Sequence, residues 1–520
     1  MKKVIVIGAG ISGLSAAARL QFAGYQVTLL EKEAAFGGRM QQVLGDGFSF
    51  DLGPTVVMMP VIYREAFEAC NKNPDDYISM ERVEPMLTLQ FQNRDPLLFS
   101  GDIVELTRTL ERVDGRDAQG YFSYLAGTYG RYLTAKNHFL SRAFRGPWDL
   151  LHPKSVYHGL RLRTLSRAYA SIPRFVKDDR LKKALAFHTL YTGATKLDVP
   201  PLYAVLPMIQ LLYGVWFIKG GMYAMAEGLK RLFLELGGKL QLNKNVEEIL
   251  IQQGRTCGVR ANGMTIPADY VVCSADFPYA VRNLIARPEN RGRYTDKLLS
   301  KMEYSCSGFV LYLGLNKKYP VKSLHTLRFA GDFSGNVADL FDRRQLPWNP
   351  SFSLYVPSIL DASLAPEGCE ALYVFVPVPG LSGRTIHWDE TAVQAYRDQI
   401  IQILEKETPF SDISEHIVFE RRFTPEDFEN RFNAMHGTVF GLNPTSRQSD
   451  YFRPHNKFSG CEKLYFCGGS THPGAGVPLA LTSARLAAEE LMRDDRRTLA
   501  VSASRQNSMT KPLFRKKEGP

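Results

Sequence analysis

Apolar and polar positions along the chain follow two periods, and where each applies sets out the elements. Lys3-Val-Ile-Val-Ile7 is a continuous β-branched run and predicts a buried strand. Leu14 to Ala23 is rich in alanine on one face, ends at Gly24 and predicts a helix. Gln26-Val-Thr-Leu-Leu30 predicts a second strand. Far downstream, Lys463-Leu-Tyr-Phe-Cys467 predicts another buried strand, followed by glycines and an alanine-rich helix from Leu479 to Met492. Between these ends, Lys239 to Ile249 alternates and predicts one strand. Phe309 to Gly314, Tyr355-Val-Pro357 and Leu372 to Val378 also predict strands, apolar enough to wall a long greasy tunnel. The pattern implies an α/β nucleotide-binding unit made of separated pieces, with other material inserted.

The first turn carries the chemistry. Gly8-Ala9-Gly10-Ile11-Ser12-Gly13 joins the first strand to the first helix, and Glu31 ends the second strand. Gly8 allows a tight turn, Gly10 lets backbone approach a pyrophosphate, and Gly13 lets helix and strand pack closely. The helix N-terminus supplies amides and a positive dipole end to the phosphates. Glu31 can accept from both ribose hydroxyls, which argues against a 2′-phosphate and so against NADP.

Further motifs point to FAD. Glu31-Lys32-Glu-Ala-Ala-Phe-Gly37-Gly38-Arg39-Met40 brings a glycine pair and a cation past the cofactor. The extended fingerprint is similar to that of amine-oxidase-type flavoproteins. Gly53-Pro54-Thr55 then reads as a loop beneath the isoalloxazine. Near the other end, Gly468-Gly469-Ser470 and Thr471-His472-Pro473-Gly-Ala-Gly476-Val477-Pro478 again place a glycine loop before a helix. The strand containing Val246 is expected to meet the adenine through its backbone.

Composition narrows the class. The chain has 520 residues, 45% hydrophobic and 22% charged, as expected of globular domains that need no staples. Seven scattered cysteines form no C-x-x-C, which disfavours a disulfide framework or a zinc site and fits a reducing compartment. No histidine pair has metal-ligand spacing, so no metal is expected. The net charge is +11, and Arg131 to Lys183 holds thirteen Lys or Arg against three acids. Phe139, Phe144, Trp148, Leu151 and Leu162 interleave with this cluster, as on a surface that meets anionic lipid. No nucleic-acid motif accompanies the charge, so nucleic acid is not expected as a partner. Val199 to Ile218 lacks charge and is long enough to span a bilayer, but Pro200, Pro201, Pro207 and Gly214 interrupt it. It reads as a channel wall or a membrane-dipping segment. The N-terminus does not read as a signal peptide, because glycines break its apolar run.

Gly53-Pro-Thr-Val-Val-Met-Met-Pro60, Phe217-Ile-Lys-Gly-Gly-Met-Tyr223, Ser363-Leu-Ala-Pro-Glu-Gly368 and Thr471 to Pro478 together resemble the bacterial carotenoid (phytoene) desaturase family. The likeness runs from residue 1 to about Met492 and is closest to the thirty-carbon, diapophytoene (dehydrosqualene) branch. The resemblance implies an α/β fold: a Rossmann-type FAD-binding domain of the amine-oxidase and carotenoid-desaturase kind. It also implies an inserted mixed-sheet substrate domain and a helical membrane-associated region. The segments expected are 1–75, 216–280 and 431–495 for the FAD domain, 76–215 for the helical region, 281–430 for the substrate sheet and 496–520 for a flexible basic tail. The implied partners are FAD, a long apolar polyisoprenoid, an anionic membrane surface on the cytoplasmic side, and oxygen or a quinone as final acceptor.

The implied reaction removes two hydrogens and two electrons from adjacent carbons, so the flavin must take the electrons. Side chains need only orient the chain and keep the site dry. His472 is the one flavin-proximal candidate, set against a purely structural hydrogen bond to its loop. Asp51, Asp276 and Glu303 gain no support as bases. Oxidation of polyene terminal methyls, an amine or amino-acid oxidase, and a non-catalytic prenyl-lipid escort are the competing readings.

Overall fold

The computed structural model describes residues 1–151, 153, 157, 172–190, 205–383 and 386–509; for 150, 188–190 and 497–509 it describes the backbone alone. A five-stranded sheet runs in the order Lys239–Gln241, Gln26–Leu30, Lys3–Ile7, Tyr270–Cys273, Leu464–Phe466. Every neighbouring pair in it is parallel. Three distant pieces of chain therefore build one sheet. Both faces are covered, which is why the strands read as unbroken apolar runs. Val4 and Val6 join a core with Ala16, Ala17 and Ala18 of the helix Ile11–Phe22, Leu229 of Tyr223–Glu235 and Ala484 and Ala487 of Val477–Met509. Ile5 and Ile7 face the other way, toward Val246, Val259, Phe277 and Phe466.

A seven-stranded mixed sheet stands beside it, ordered Ile417–Phe423, Ser307–Leu315, Glu370–Val378, Phe352–Tyr355, His325–Phe329, Leu87–Phe91, Arg94–Phe99. One face is roofed by the helix Glu390–Glu407: Phe309, Leu311 and Leu313 pack on Tyr396, Ile400 and Leu404. The opposite face carries Val310, Tyr312, Tyr355 and Tyr373 and turns toward the loop after Asp51. Period-two alternation thus divides one strand between two cores. A helical layer covers the sheet's far end. It contains Ile103–Val113, Gly115–Ala135, Asp179–Leu190 and Leu206–Tyr213. Asp102 and Asp114 cap the first two of these helices, accepting from Val104 and Glu105 N–H and from Arg116 N–H.

The structure corrects several expectations. The stretch 76–215 is not helical throughout, because Leu87–Phe91 and Arg94–Phe99 complete the seven-stranded sheet. Lys239 to Ile249 is two strands, Lys239–Gln241 in the parallel sheet and Val246–Gln252 in a three-stranded antiparallel one. The last helix continues to Met509, well into the expected tail. Within 199–218, an eight-residue helix Leu206–Tyr213 gives way at Gly214, with φ +77°, to the strand Val215–Ile218. Among the described residues, no helix is long and apolar enough to cross a membrane. Leu160, Leu162, Arg161, Arg163 and Arg167 of the basic cluster, Val199 to 204 and residues 510–520 lie outside the described residues.

Candidate functional site

The site begins where the carboxyl ends of the parallel strands meet glycine turns. Gly8 has φ +91°, a left-handed conformation that a side chain would strain. A Cβ on Gly13 would lie 1.9 Å from the Gly8 carbonyl oxygen, so helix and turn can approach only as glycines. A Cβ on Gly10 would meet nothing within 4 Å, which leaves open space at the N-terminus of the helix Ile11–Phe22. Glu31 is buried at the end of the second strand, accepting from Ala9 N–H at 2.7 Å and Glu33 N–H at 3.0 Å.

These groups open into one cavity of about 920 Å³, near the top of the roughly 300–1,000 Å³ range of ligand pockets. Gly8, Gly10, Ile11, Ser12, Glu31, Lys32, Gly37, Gly38, Arg39 and Met40 line it. Gly53, Pro54, Thr55, Val246, Gly468, Gly469, Gly476, Val477 and Pro478 line it as well. The N-terminus of Val477–Met509 therefore converges with that of Ile11–Phe22 on the same space. Two dipole ends and one open glycine turn suit a dianionic pyrophosphate. Arg39 donates from Nη1 to the Val439 carbonyl at 3.0 Å. Burial lowers its pKa and the Asp276 carboxylate opposes that effect, so a second anion nearby would be welcome. The residues present fit FAD.

Three predicted residues do not line the cavity. Ala9 and Gly13 stand behind it and shape the turn. His472 is fully buried, with its Nε2 donating to the Arg142 carbonyl at 3.1 Å and its ring edge-on to Phe144 at 4.8 Å. Burial pushes its pKa down to about 3, so the ring is neutral. His472 thus ties its loop to the segment of Arg142 rather than bonding within the loop or lining the cavity. Sequence reasoning assigned no part in the site to Lys244, Asn245, Ser274, Ala275, Tyr279, Asn433 and Val439, and weighed Asp276 only as a base. Ser274-Ala-Asp276 follows directly on the strand Tyr270–Cys273, so its place at a strand's carboxyl end was the available signal. Asp276 accepts from Met435 N–H at 3.2 Å and from the Ser470 hydroxyl.

The cavity continues into an apolar chamber. Val56, Met58, Met59, Ile62, Leu206, Ile209 and Val215 form one wall, and Leu87, Leu327, Tyr373 and Phe375 of the seven-stranded sheet form the floor. The loop Leu52 to Thr55 hangs between the two ends. Tyr312 Oη donates to the Leu52 carbonyl at 2.5 Å and Tyr373 Oη to that of Gly53 at 3.1 Å. Asp51 braces it, accepting from Met222 N–H at 2.7 Å, Tyr223 N–H at 3.4 Å and Tyr355 Oη at 3.2 Å. Burial raises the Asp51 pKa to about 7 against those hydrogen bonds, and the group does not line the cavity. Asp361 performs the same service for Gly220 N–H at 2.8 Å and Ser363 N–H at 3.1 Å. The sequence blocks around Gly220 and Ser363 are thus supports of the chamber. Val61 lines the cavity yet is 67% exposed, which marks an opening there. Among the described residues, no group of His, Cys, Asp and Glu is disposed to hold a metal ion.

Comparison with known proteins agrees with this geometry. The family model described as flavin containing amine oxidoreductase matches residues 11–492. A 4,4′-diapophytoene desaturase (4,4′-diaponeurosporene-forming) of Staphylococcus haemolyticus is 42% identical, over 94% of this chain and 99% of its own. A protein of the same description from Staphylococcus aureus, strain Newman, is 41% identical over 95% and 99%. Among solved structures, a putrescine oxidase redesigned in its cofactor binding superposes with a TM-score of 0.63, covering 95% of this chain and 99% of that one at 14% identity. That last likeness concerns the fold alone.

Proposed function

Because the chain belongs to the flavin containing amine oxidoreductase family, and matches desaturases of that kind along nearly its whole length, we propose that it desaturates 4,4′-diapophytoene (dehydrosqualene) with FAD in carotenoid biosynthesis. The observation that carries this reading is the continuity of a dinucleotide cleft with an apolar chamber in a single cavity. Bound FAD supplies an acceptor for two electrons and one hydrogen, which no side chain can. The turn Gly8 to Gly13 and the helix start at Val477 hold the pyrophosphate, and Glu31 holds the ribose. The Val246 strand meets the adenine, and Arg39, Gly53 to Thr55, Gly468 and Gly469 surround the remainder. The chamber's part is to hold an extended chain with its reacting carbons in register and to exclude water from developing positive charge.

An amine substrate would want a charged pocket, and most of the chamber's lining is aliphatic and aromatic. Oxidation of a terminal methyl uses the same parts and is separated by mass. Anaerobic turnover should remove two hydrogens per step, whereas a product that gains oxygen under air would support the second reading.

The helical region is the face that meets the membrane, on the cytoplasmic side, and among the described residues no helix is long and apolar enough to cross it. Trp148 is 83% exposed there, and Leu151 and Tyr157 are also exposed within the basic stretch from Arg131 to Lys183. Apolar side chains among cations are what a monotopic surface presents to anionic lipid. A chain-like substrate would then enter from the bilayer, and oxygen or a quinone would take the electrons onward.

A further inference from the structure

The apolar chamber runs along two strands and stops within them. His325–Phe329 and Leu87–Phe91 lie parallel, with Leu327 level with Leu89 and Phe329 level with Phe91. Residues 87, 89 and 91 on one strand and 325, 327 and 329 on the other therefore share a face, in three rows. In the first row His325 and Leu87 both line the cavity. The Thr55 backbone lies against the His325 ring, so this row is the one beside the loop Leu52 to Thr55. In the second row Leu327 lines the cavity and Leu89 does not. In the third row neither Phe329 nor Phe91 does. On these two strands the lining thus gives out step by step, going away from the cofactor end.

An aromatic cluster fills the place where it gives out. Phe329 stacks on Phe91, with centroids 5.2 Å apart and 10° between planes. Phe187 of the helix Asp179–Leu190 meets Phe329 edge-on at 5.2 Å, and Phe333 meets it edge-on at 5.9 Å. All four are buried, at 5% exposure or less. A ring held by three aromatic neighbours in a close-packed interior has no space to swing into, so the cluster is a firm wall. The spacing of the rows is informative as well. Two residues along a strand advance about 7 Å. An isoprene unit adds four main-chain carbons, about 5 Å at ordinary C–C bond lengths. One row therefore takes the room of one isoprene unit.

We propose that Phe329, held by Phe91, Phe187 and Phe333, is the end stop of the chamber and sets the length of chain the enzyme accepts. The inference rests on the desaturase reading above and deepens it. One arm of the thirty-carbon chain lies along His325 and Leu327 with its terminal methyl groups against Phe329, and the other arm points toward the opening at Val61. The forty-carbon homologue, phytoene, carries one more isoprene unit at each end. Its arm meets Phe329 about one row too early, which leaves its reacting carbons out of register with the flavin.

The test offers full-length, FAD-loaded protein an equimolar mixture of 4,4′-diapophytoene and phytoene in lipid, with products separated by mass. The ratio of the two kcat/KM values from one mixture does not depend on how much of the protein is folded, so a less stable variant remains readable. Phe329→Leu is expected to raise the forty-carbon to thirty-carbon ratio by at least about ten-fold, since even one methylene in an apolar pocket is worth that much. Phe91→Leu should move it the same way, and Leu327→Phe, which adds bulk to the last lining row, should lower it. Phe309→Leu is the control. Phe309 is equally buried but packs on the opposite face of the sheet, so the wild-type ratio is expected. A ratio unmoved by Phe329→Leu and Phe91→Leu, or moved as far by Phe309→Leu, would overturn the proposal. Wild type that desaturates neither chain would instead overturn the desaturase reading beneath it.

Discussion

Gly10→Ala should separate binding of the cofactor from folding of the turn. The residue has φ −72° and ψ 176°, a backbone any residue adopts, and a Cβ there meets no protein atom within 4 Å. An N-cap alanine costs about 1 kcal/mol relative to a good cap, and the loss of glycine's unfolded-state freedom returns a similar amount. The cofactor-free protein should therefore keep its stability within about 1 kcal/mol. The methyl group, however, stands in the space the phosphates need to reach the helix amides. Losing one charge-assisted hydrogen bond costs about 1.5–3 kcal/mol, or roughly 10- to 150-fold in the Kd for FAD. Gly13→Ala is the control with the opposite signature. Its Cβ would lie 1.9 Å from the Gly8 carbonyl and 2.7 Å from Ser274 Oγ. Helix and strand must separate, at about 1–3 kcal/mol of overpacking, so the cofactor-free protein itself should lose stability. The assay is calorimetric titration of FAD into deflavinated protein, paired with denaturant unfolding of the same samples. Unchanged FAD affinity in Gly10→Ala would refute the assignment of this turn to the pyrophosphate.

His472 supplies a pH prediction. Its folded pKa is pushed down to about 3 by burial first and then by His455, so the folded protein binds fewer protons than the unfolded chain between that value and the ordinary histidine range. Its contribution is complete above about pH 6.5 and is lost as the pH falls, by about 1–2 kcal/mol from pH 6.5 to 5. His325 acts in the same direction, while Asp51 and Glu370, each raised to about 7, act in the opposite one. His472→Gln should therefore flatten the acid side of the stability profile, read from denaturant midpoints, while leaving FAD bound; an unchanged acid limb would contradict the buried neutral ring. At the membrane, reversing Arg161, Arg163 and Arg167 to Glu should weaken co-sedimentation with anionic vesicles, and the difference should shrink as salt rises. Equal sedimentation of both proteins would remove the basic stretch from the account.

The cofactor end of the site was legible in the sequence because glycine turns and helix starts are local. Gly8 to Gly13, Glu31 and Gly476 to Pro478 announce themselves by spacing, and apart from Ala9 and Gly13, which stand behind it, the structure brings them to one cavity. Residues that reach it by tertiary placement were not legible. Ser274 to Asp276 needed the strand Tyr270–Cys273 to be placed next to Lys3–Ile7, which no local signal states. Leu87, Leu89 and Phe91 do alternate, yet among helical patterns their membership of a sheet emerges only from pairing with His325–Phe329. A lone histidine at the start of an apolar strand resembles core, and His325 comes to line the cavity only through the placement of its strand beside Leu87–Phe91. His472, by contrast, stood out by its motif and proved to be an anchor. Proximity in sequence to a cofactor loop does not fix which way a side chain points.

The central claim is that one cavity holds flavin and polyene together. Its most direct test is to mix the FAD-loaded protein with diapophytoene in lipid, without oxygen, and follow the flavin band and the polyene spectrum at once. The account predicts that the flavin bleaches while the polyene absorption moves to longer wavelength, in step and in equal amounts. A flavin that stays oxidised with the polyene, yet bleaches with an amine, would contradict it.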